Sequence, residues 1–158
     1  MELKELMADF TAKVGLTGVE PDEDGAYTLA FDGMNIAFVE VPDTGMLLLS
    51  AFIADKPAEG SERLAEVLLQ MNFLFSAEEG NIVALDDAQN RYVLQRRDAL
   101  ALLDGASFSA LVESFVNRLE AYQSTIADFV PAINAAAARE AVERSEVSSF
   151  GPQGFMQV

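Results

Sequence analysis

Three apolar runs lie close together: Tyr27 to Asp32, Met34 to Val41 and Met46 to Ile53. An amphipathic run, Glu62 to Phe75, follows. The first run alternates, with Tyr27, Leu29 and Phe31 on one side and Thr28, Ala30 and Asp32 on the other, the mark of a half-buried strand. The third does not. Met46, Leu48 and Phe52 fall on one face, and Leu47, Leu49, Ala51 and Ile53 on the other. A strand apolar on both faces is expected to be covered on both. The second cover is then another part of the chain, a twin subunit or a client.

The rest of the chain reads in order. Leu3, Leu6, Met7, Phe10 and Val14 keep helical spacing, so Glu2 to Val14 is a first helix. Gly15 caps it, with Leu16 placed for an apolar contact. Gly18 to Gly25 is an acidic loop. Asp32-Gly33 is a tight-hairpin signal between two strands, and Pro42 to Gly45 a longer turn. Ser61 suits an N-cap for the helix that follows. There Leu64, Val67, Leu68, Met71 and Phe75 form one stripe, widened by Leu69, Phe73 and Leu74. So broad a surface exceeds what one sheet face needs, and implies contact with another subunit. Asn81 to Asp86 and Arg91 to Arg96 make a second hairpin. Asp104-Gly105 is a turn, and Ser107 to Val130 is the longest helix, ended by Pro131.

The expected class is therefore α+β, in the order α-β-β-β-α-β-β-α, with a twisted antiparallel sheet packed by helices. Residues 1–130 form a single domain. Residues 131–158 form a tail, helix-prone from Ala132 to Arg144 and mobile from Val147 to Val158. No internal repeat is present.

Half of the 158 residues are hydrophobic, 51 %, which excludes wholesale disorder. No apolar run reaches the length of a membrane span, and Met1-Glu-Leu-Lys-Glu-Leu6 lacks the basic start and apolar centre of a signal peptide. With no cysteine there is no disulfide or thiol chemistry, and the cytoplasm is the expected home. Charge adds more. Asp and Glu number 26 against 10 Lys and Arg, a net −16. From Pro131 onward the net is −1, so −15 rests on the body. That field repels nucleic acid and anionic membranes and favours a basic or apolar partner.

Chemistry is sparse. There is no histidine, so the usual neutral-pH base, Ser-His-Asp and Cys-His arrangements, and His- or Cys-based zinc sites are all excluded. No dinucleotide fingerprint, phosphate loop or nucleophile elbow occurs. The acidic clusters Asp22-Glu23-Asp24, Glu78-Glu79 and Asp86-Asp87 lack the spacing of a Ca²⁺ loop and read as solvated turns. Asp32 and Asp86 invite comparison with a carboxylate pair, but turn chemistry accounts for both. No catalytic residue, cofactor or metal is assigned. Arg96-Arg97 is the only adjacent basic pair. It balances local charge, in preference to anchoring an acidic residue of a partner.

The assembled pattern resembles the class I type III secretion chaperones, the Tir-chaperone (CesT-like) family. Leu6 to Leu16, with its Gly-Leu exit, resembles the family's first helix. Asp24-Gly25 with Tyr27 to Asp32 resembles its first strand, and Leu64 to Asn72 its second helix. Ile82 to Asp86 and Tyr92 to Leu94 resemble its fourth and fifth strands. Leu111 to Tyr122 resembles the last helix, with Tyr122 where many relatives carry Trp. The resemblance spans Leu3 to Phe129.

It implies a cytoplasmic homodimer without enzymatic activity. Such a dimer binds the N-terminal segment of one or more secreted effectors in extended form, keeping them soluble and export-competent, and has the secretion ATPase as a further partner. No nucleic acid or membrane is implied. By matched position, the dimer contact falls on Leu64, Leu68, Met71 and Phe75, beside Ile82 and Leu85. The effector groove falls on Leu6, Phe10, Leu29, Phe31, Ile36 and Phe38. Each is equally assignable to ordinary core until the covered sheet face is known. Two other readings stand beside this one: a regulatory or adaptor domain of the same fold, and an enzyme using the acidic clusters. The missing histidine and cysteine weigh against the enzyme.

Overall fold

Glu2 and Glu5 close a capping box at the first helix, α1 (Leu3–Val14): each side chain answers the other's backbone amide. Its C-terminus is a Schellman motif. Gly15 takes a left-handed φ of 78°, and the amides of Gly15 and Leu16 return to the carbonyls of Ala12 and Thr11. These observations come from a computed structural model that describes residues 2–58 and 60–149.

Five strands follow the expected runs: β1 (Tyr27–Phe31), β2 (Met34–Val41), β3 (Met46–Asp55), β4 (Asn81–Asp86) and β5 (Arg91–Ala99). They form one antiparallel sheet in the order β1-β2-β3-β5-β4. The β1–β2 turn places Asp32 at φ 48° and Gly33 at φ 84°, the double left-handed geometry that a two-residue hairpin of this twist requires. Helix α2 (Ser61–Glu79) packs on β4. Ser61 is itself the first helical residue, so it is not the cap; the Leu64 amide bonds to the Gly60 carbonyl. A 3₁₀ turn, Leu100–Leu102, leads to α3 (Gly105–Ser149).

The covered sheet face carries Leu29, Ile36, Phe38, Leu47, Leu49, Ala51 and Leu94, all buried beneath α1 and α3 in one cluster. Phe108 of α3 sits at its centre, 5.7 Å edge-on from the Phe10 ring and 6.0 Å from the Phe38 ring. The opposite face departs from the expectation of a second cover. On β3, Met46 and Leu48 are half-buried and Phe52 is 41 % exposed. No helix lies there within the described residues, so within the subunit this strand is covered once.

α3 also differs at both ends from the reading above. It starts at Gly105, because Asp104 and Ser107 cap each other reciprocally. The Ser107 amide donates to Asp104 Oδ1, and the Asp104 amide to Ser107 Oγ, both at 2.8 Å. It then runs through Pro131 to Ser149. Proline removes one helical hydrogen bond and crowds the carbonyl four residues back. Ala132 and Ala135 to Ala138 have the highest helix propensity and carry the helix onward. The helix-prone segment of the tail is thus continuous with α3, and Val147–Ser149 are helical; Phe150 to Val158 lie outside the described residues.

The Asp104 cap predicts a pH dependence. Hydrogen bonds from the Ser107 amide and hydroxyl hold its carboxyl below the ordinary 3.8. A lowered folded pKa contributes stability above the unfolded value, lost as pH falls through the folded one. Asp104→Ala is therefore expected to lower the melting temperature by a few degrees near neutrality. The gap from wild type should close in acid below pH 3.8. Melting curves across a pH series check both limbs.

Candidate functional site

Besides the uncovered sheet face, two apolar surfaces stay open after the core is assembled, at opposite ends of the strand order. The first lies beside β1, whose outer edge pairs with no other strand of the sheet. There α1, the end of β1 and α3 enclose a cleft of about 360 Å³ floored by Phe10, Val14, Phe31, Val112 and Val116. Phe10 and Phe31 stand 6.3 Å apart. Lys13 and Glu113 bring charge to the cleft lining, and Lys13 Nζ reaches Ser109 Oγ at 3.4 Å. Val14 is 48 % exposed here, at the last turn of α1, where the Schellman motif turns the chain away.

Of the residues expected in the effector groove, this cleft gathers Phe10 and Phe31. Leu6, Leu29, Ile36 and Phe38 are core residues, between 0 and 3 % exposed. Leu6 faces inward from α1, the other three lie on the covered sheet face, and none has surface to offer. The apolar alternation of β1 and β2 marks the covered face, not the open one. Val14, Val112 and Val116 were not among the expected groove residues. Val14 and Phe10 are four residues apart on α1, as are Val112 and Val116 on α3, so each pair shares a helix face. What places the two pairs opposite each other is the packing of α1 on α3, which sequence spacing does not show.

The second surface lies on α2 and the far edge strand, β4. Leu69, Phe73 and Leu74 are 66, 84 and 62 % exposed, and Ile82 and Leu85 of β4 are 52 and 45 % exposed. Asn72 fixes helix to strand. Its side-chain amide donates to the Val83 carbonyl at 3.0 Å, and its Oδ1 accepts the Val83 amide at 2.7 Å. The side chain thus stands in for one step of a missing neighbour strand. Among the expected dimer residues, Leu85 lines a groove with Leu69 and Asn72 of α2. Ile82, opposite Gln95 where Leu85 is opposite Tyr92, is exposed on the other face of the same edge strand. Leu64 and Leu68 are core, at 0 and 3 % exposure, and Met71 is half-buried against it; the Phe75 side chain lies outside the described residues. The helix presents its neighbouring stripe instead. The i, i+4 pair Leu69 and Phe73 carried that signal in the sequence.

Acidic groups serve turns. Asp22 Oδ1 accepts the amides of Asp24 and Ala26 at 3.0 and 2.8 Å. Asp86 pairs with Arg91 across the strands at 3.2 Å and accepts the Gln89 amide. Asp32 and Asp86 belong to opposite ends of the strand order, separated by roughly 19 Å for four spacings of ~4.8 Å, so they form no pair. Among the described residues no three His, Cys, Asp or Glu come together as a metal cluster. Burial pushes the Tyr92 phenol above its ordinary value, leaving it neutral beneath β4 and α2. Arg96 is bound to Asp98 at 2.8 and 3.2 Å, the local balance anticipated for the basic pair. Arg97 points the other way and is exposed. No helix among the described residues is long and apolar enough to cross a membrane.

Comparison with solved structures places this architecture among known folds. The chain is similar to the ExsC–ExsE complex, with 22 % identity and a TM-score of 0.68 over 78 % of this chain and 96 % of that one. It is similar to the Yersinia pestis type III secretion chaperone SycH in complex with a fragment of YscM2, at 20 % identity and a TM-score of 0.57, covering 75 and 97 % of the two chains. A third similar structure is the ExoT–SpcS complex of Pseudomonas aeruginosa, at 21 % identity and a TM-score of 0.56, covering 73 and 91 %. Each spans nearly all of the other chain but about three quarters of this one. Among curated proteins none matches. The family model described as Tir chaperone protein (CesT) matches residues 5–123, from α1 to the middle of α3. The chain belongs to the Tir chaperone protein (CesT) family.

Proposed function

We propose that this chain is a cytoplasmic type III secretion chaperone. It works as a homodimer that holds the N-terminal segment of one or more secreted effectors in extended form. The observation that carries the reading is the open apolar cleft floored by Phe10 and Phe31 beside the free edge of β1. Ordering an extended segment costs about 1–2 kcal/mol per residue in backbone entropy. Apolar burial must offset that cost, and an unpaired strand edge adds main-chain hydrogen bonds of the strand-addition kind. The cleft supplies the first and β1 the second. Similar structures include a chaperone–effector complex, HopA1–SchA, in keeping with a bound segment. The α2–β4 surface, with Met71, Ile82 and Leu85 joined by Leu69, Phe73 and Leu74, supplies the self-contact. The role is binding, with no catalytic step.

The test is affinity purification of the tagged chain from its own cytoplasm, followed by light scattering and mass spectrometry. The expected product is a dimer carrying one larger secreted protein whose N-terminal segment is protected from protease. Val14→Asp should reduce the captured protein by about tenfold or more without unfolding the subunit, because it charges the cleft at an already exposed position. Undiminished capture by the variant would remove the cleft from the site. A partner retained through a folded domain, with no protected N-terminal segment, would instead favour an adaptor.

A further inference from the structure

Strand register lays out the uncovered sheet face in rows. Val39, Leu48 and Arg97 stand side by side across β2, β3 and β5. Val41, Met46 and Ala99 form the next row. The aliphatic members are half-buried, flush with the sheet, while Arg97 is exposed and rises among them. The other charged strand residues lie away from Arg97: Glu40, in register with Leu47, is on the opposite face. Arg96 and its partner Asp98 face the opposite side. On this face Arg91 is paired with Asp86, with Asp55 in register beside Arg91. These lie six residues from Arg97 along β5, roughly 20 Å at ~3.3 Å per residue. The Arg97 guanidinium makes no ion pair or hydrogen bond with a described residue.

We infer that this face is a second effector-docking surface, reading a mainly apolar segment that carries one carboxylate seated on Arg97. The inference rests on the effector-binding reading above and adds a recognition rule to it. A segment laid over Leu48 and Met46 also covers Arg97. A guanidinium taken from water without a counter-charge is strongly unfavourable, so a covering segment with nothing for Arg97 is rejected. A carboxylate answers it with two parallel, charge-assisted hydrogen bonds. The whole chain, at −16, repels a generally acidic segment. The two demands together select a single acid among neutral or basic flanks, a specificity set as much by exclusion as by attraction.

The probe is a phage-displayed library of random 16-residue peptides, selected in parallel on the full-length wild-type chain, Arg97→Gln, Arg97→Glu and Lys4→Glu. Lys4 is exposed on α1, so Lys4→Glu changes net charge as much as Arg97→Glu but leaves the face intact. Wild type and Lys4→Glu should enrich peptides with one Asp or Glu between aliphatic residues. Arg97→Gln should lose that acid, and Arg97→Glu should replace it with Lys or Arg. A selected peptide should bind Arg97→Gln about tenfold or more weakly than wild type. Identical enrichment on all four proteins overturns the inference while leaving effector binding in place. No enrichment on any of them overturns effector binding and this inference with it. A change in oligomeric state of Arg97→Glu by light scattering would assign the face to a second copy, and also overturn it.

Discussion

Phe108→Ala is expected to lower stability by about 3–5 kcal/mol, and with it the melting temperature by about 10 °C or more. Phe108 is fully buried and joins three elements at one point. Its ring meets Phe10 of α1 edge-on at 5.7 Å and Phe38 of β2 at 6.0 Å. Truncation leaves a void where those rings met, and a close-packed interior relaxes into such voids only in part. The loss should reach the cleft, because Phe10 is both a neighbour of Phe108 and part of the cleft floor. Phe52→Ala is the matched control: the same atoms are removed from a 41 % exposed position on the other sheet face, and little should change. Thermal melts at one fixed protein concentration check the pair, since the proposed self-association would make the midpoint concentration-dependent. A loss below about 1 kcal/mol for Phe108→Ala would mean that α3 does not seal the sheet.

That contrast between Phe108 and Phe52 marks where the sequence was legible. Local signals were sufficient where local chemistry decides. Asp32-Gly33 fixed the first hairpin, Gly15 the exit of α1, and period-two alternation the buried side of β1. Equal apolarity on the two faces of β3 left its orientation open. The deciding facts are long-range: β5 inserts between β3 and β4, and α1 and α3 choose one side. For the same reason Leu6, Leu29, Ile36 and Phe38, apolar and well patterned, look like a groove but are core. A binding surface must leave apolar groups uncovered, whereas sequence pattern reports only that they are apolar. The ends of α3 escaped for a different reason. The Asp104-x-x-Ser107 cap was read as a turn alone, and Pro131 was given more weight than the alanines after it.

Leu69→Glu together with Phe73→Glu is expected to turn the proposed dimer into a monomer, raising the dissociation constant by about 10³-fold or more. The two side chains are 66 and 84 % exposed on successive turns of α2, so the subunit loses almost no core contact when they change. Across a two-fold axis each substitution acts twice. Four apolar anchors become four carboxylates, brought together between subunits that each already carry −16. Burial of those charges without partners is unfavourable, and their mutual repulsion adds to it. Light scattering should give twice the chain mass for the parent and the single chain mass for the variant, with unchanged circular dichroism. Leu64→Glu should behave differently. Leu64 is one turn or more earlier on the same helix but fully buried, so a carboxylate there unfolds the subunit as well as separating it. If the double variant stays dimeric, the α2–β4 surface is not the self-contact. Its exposed leucines and phenylalanine would then have to meet a different chain.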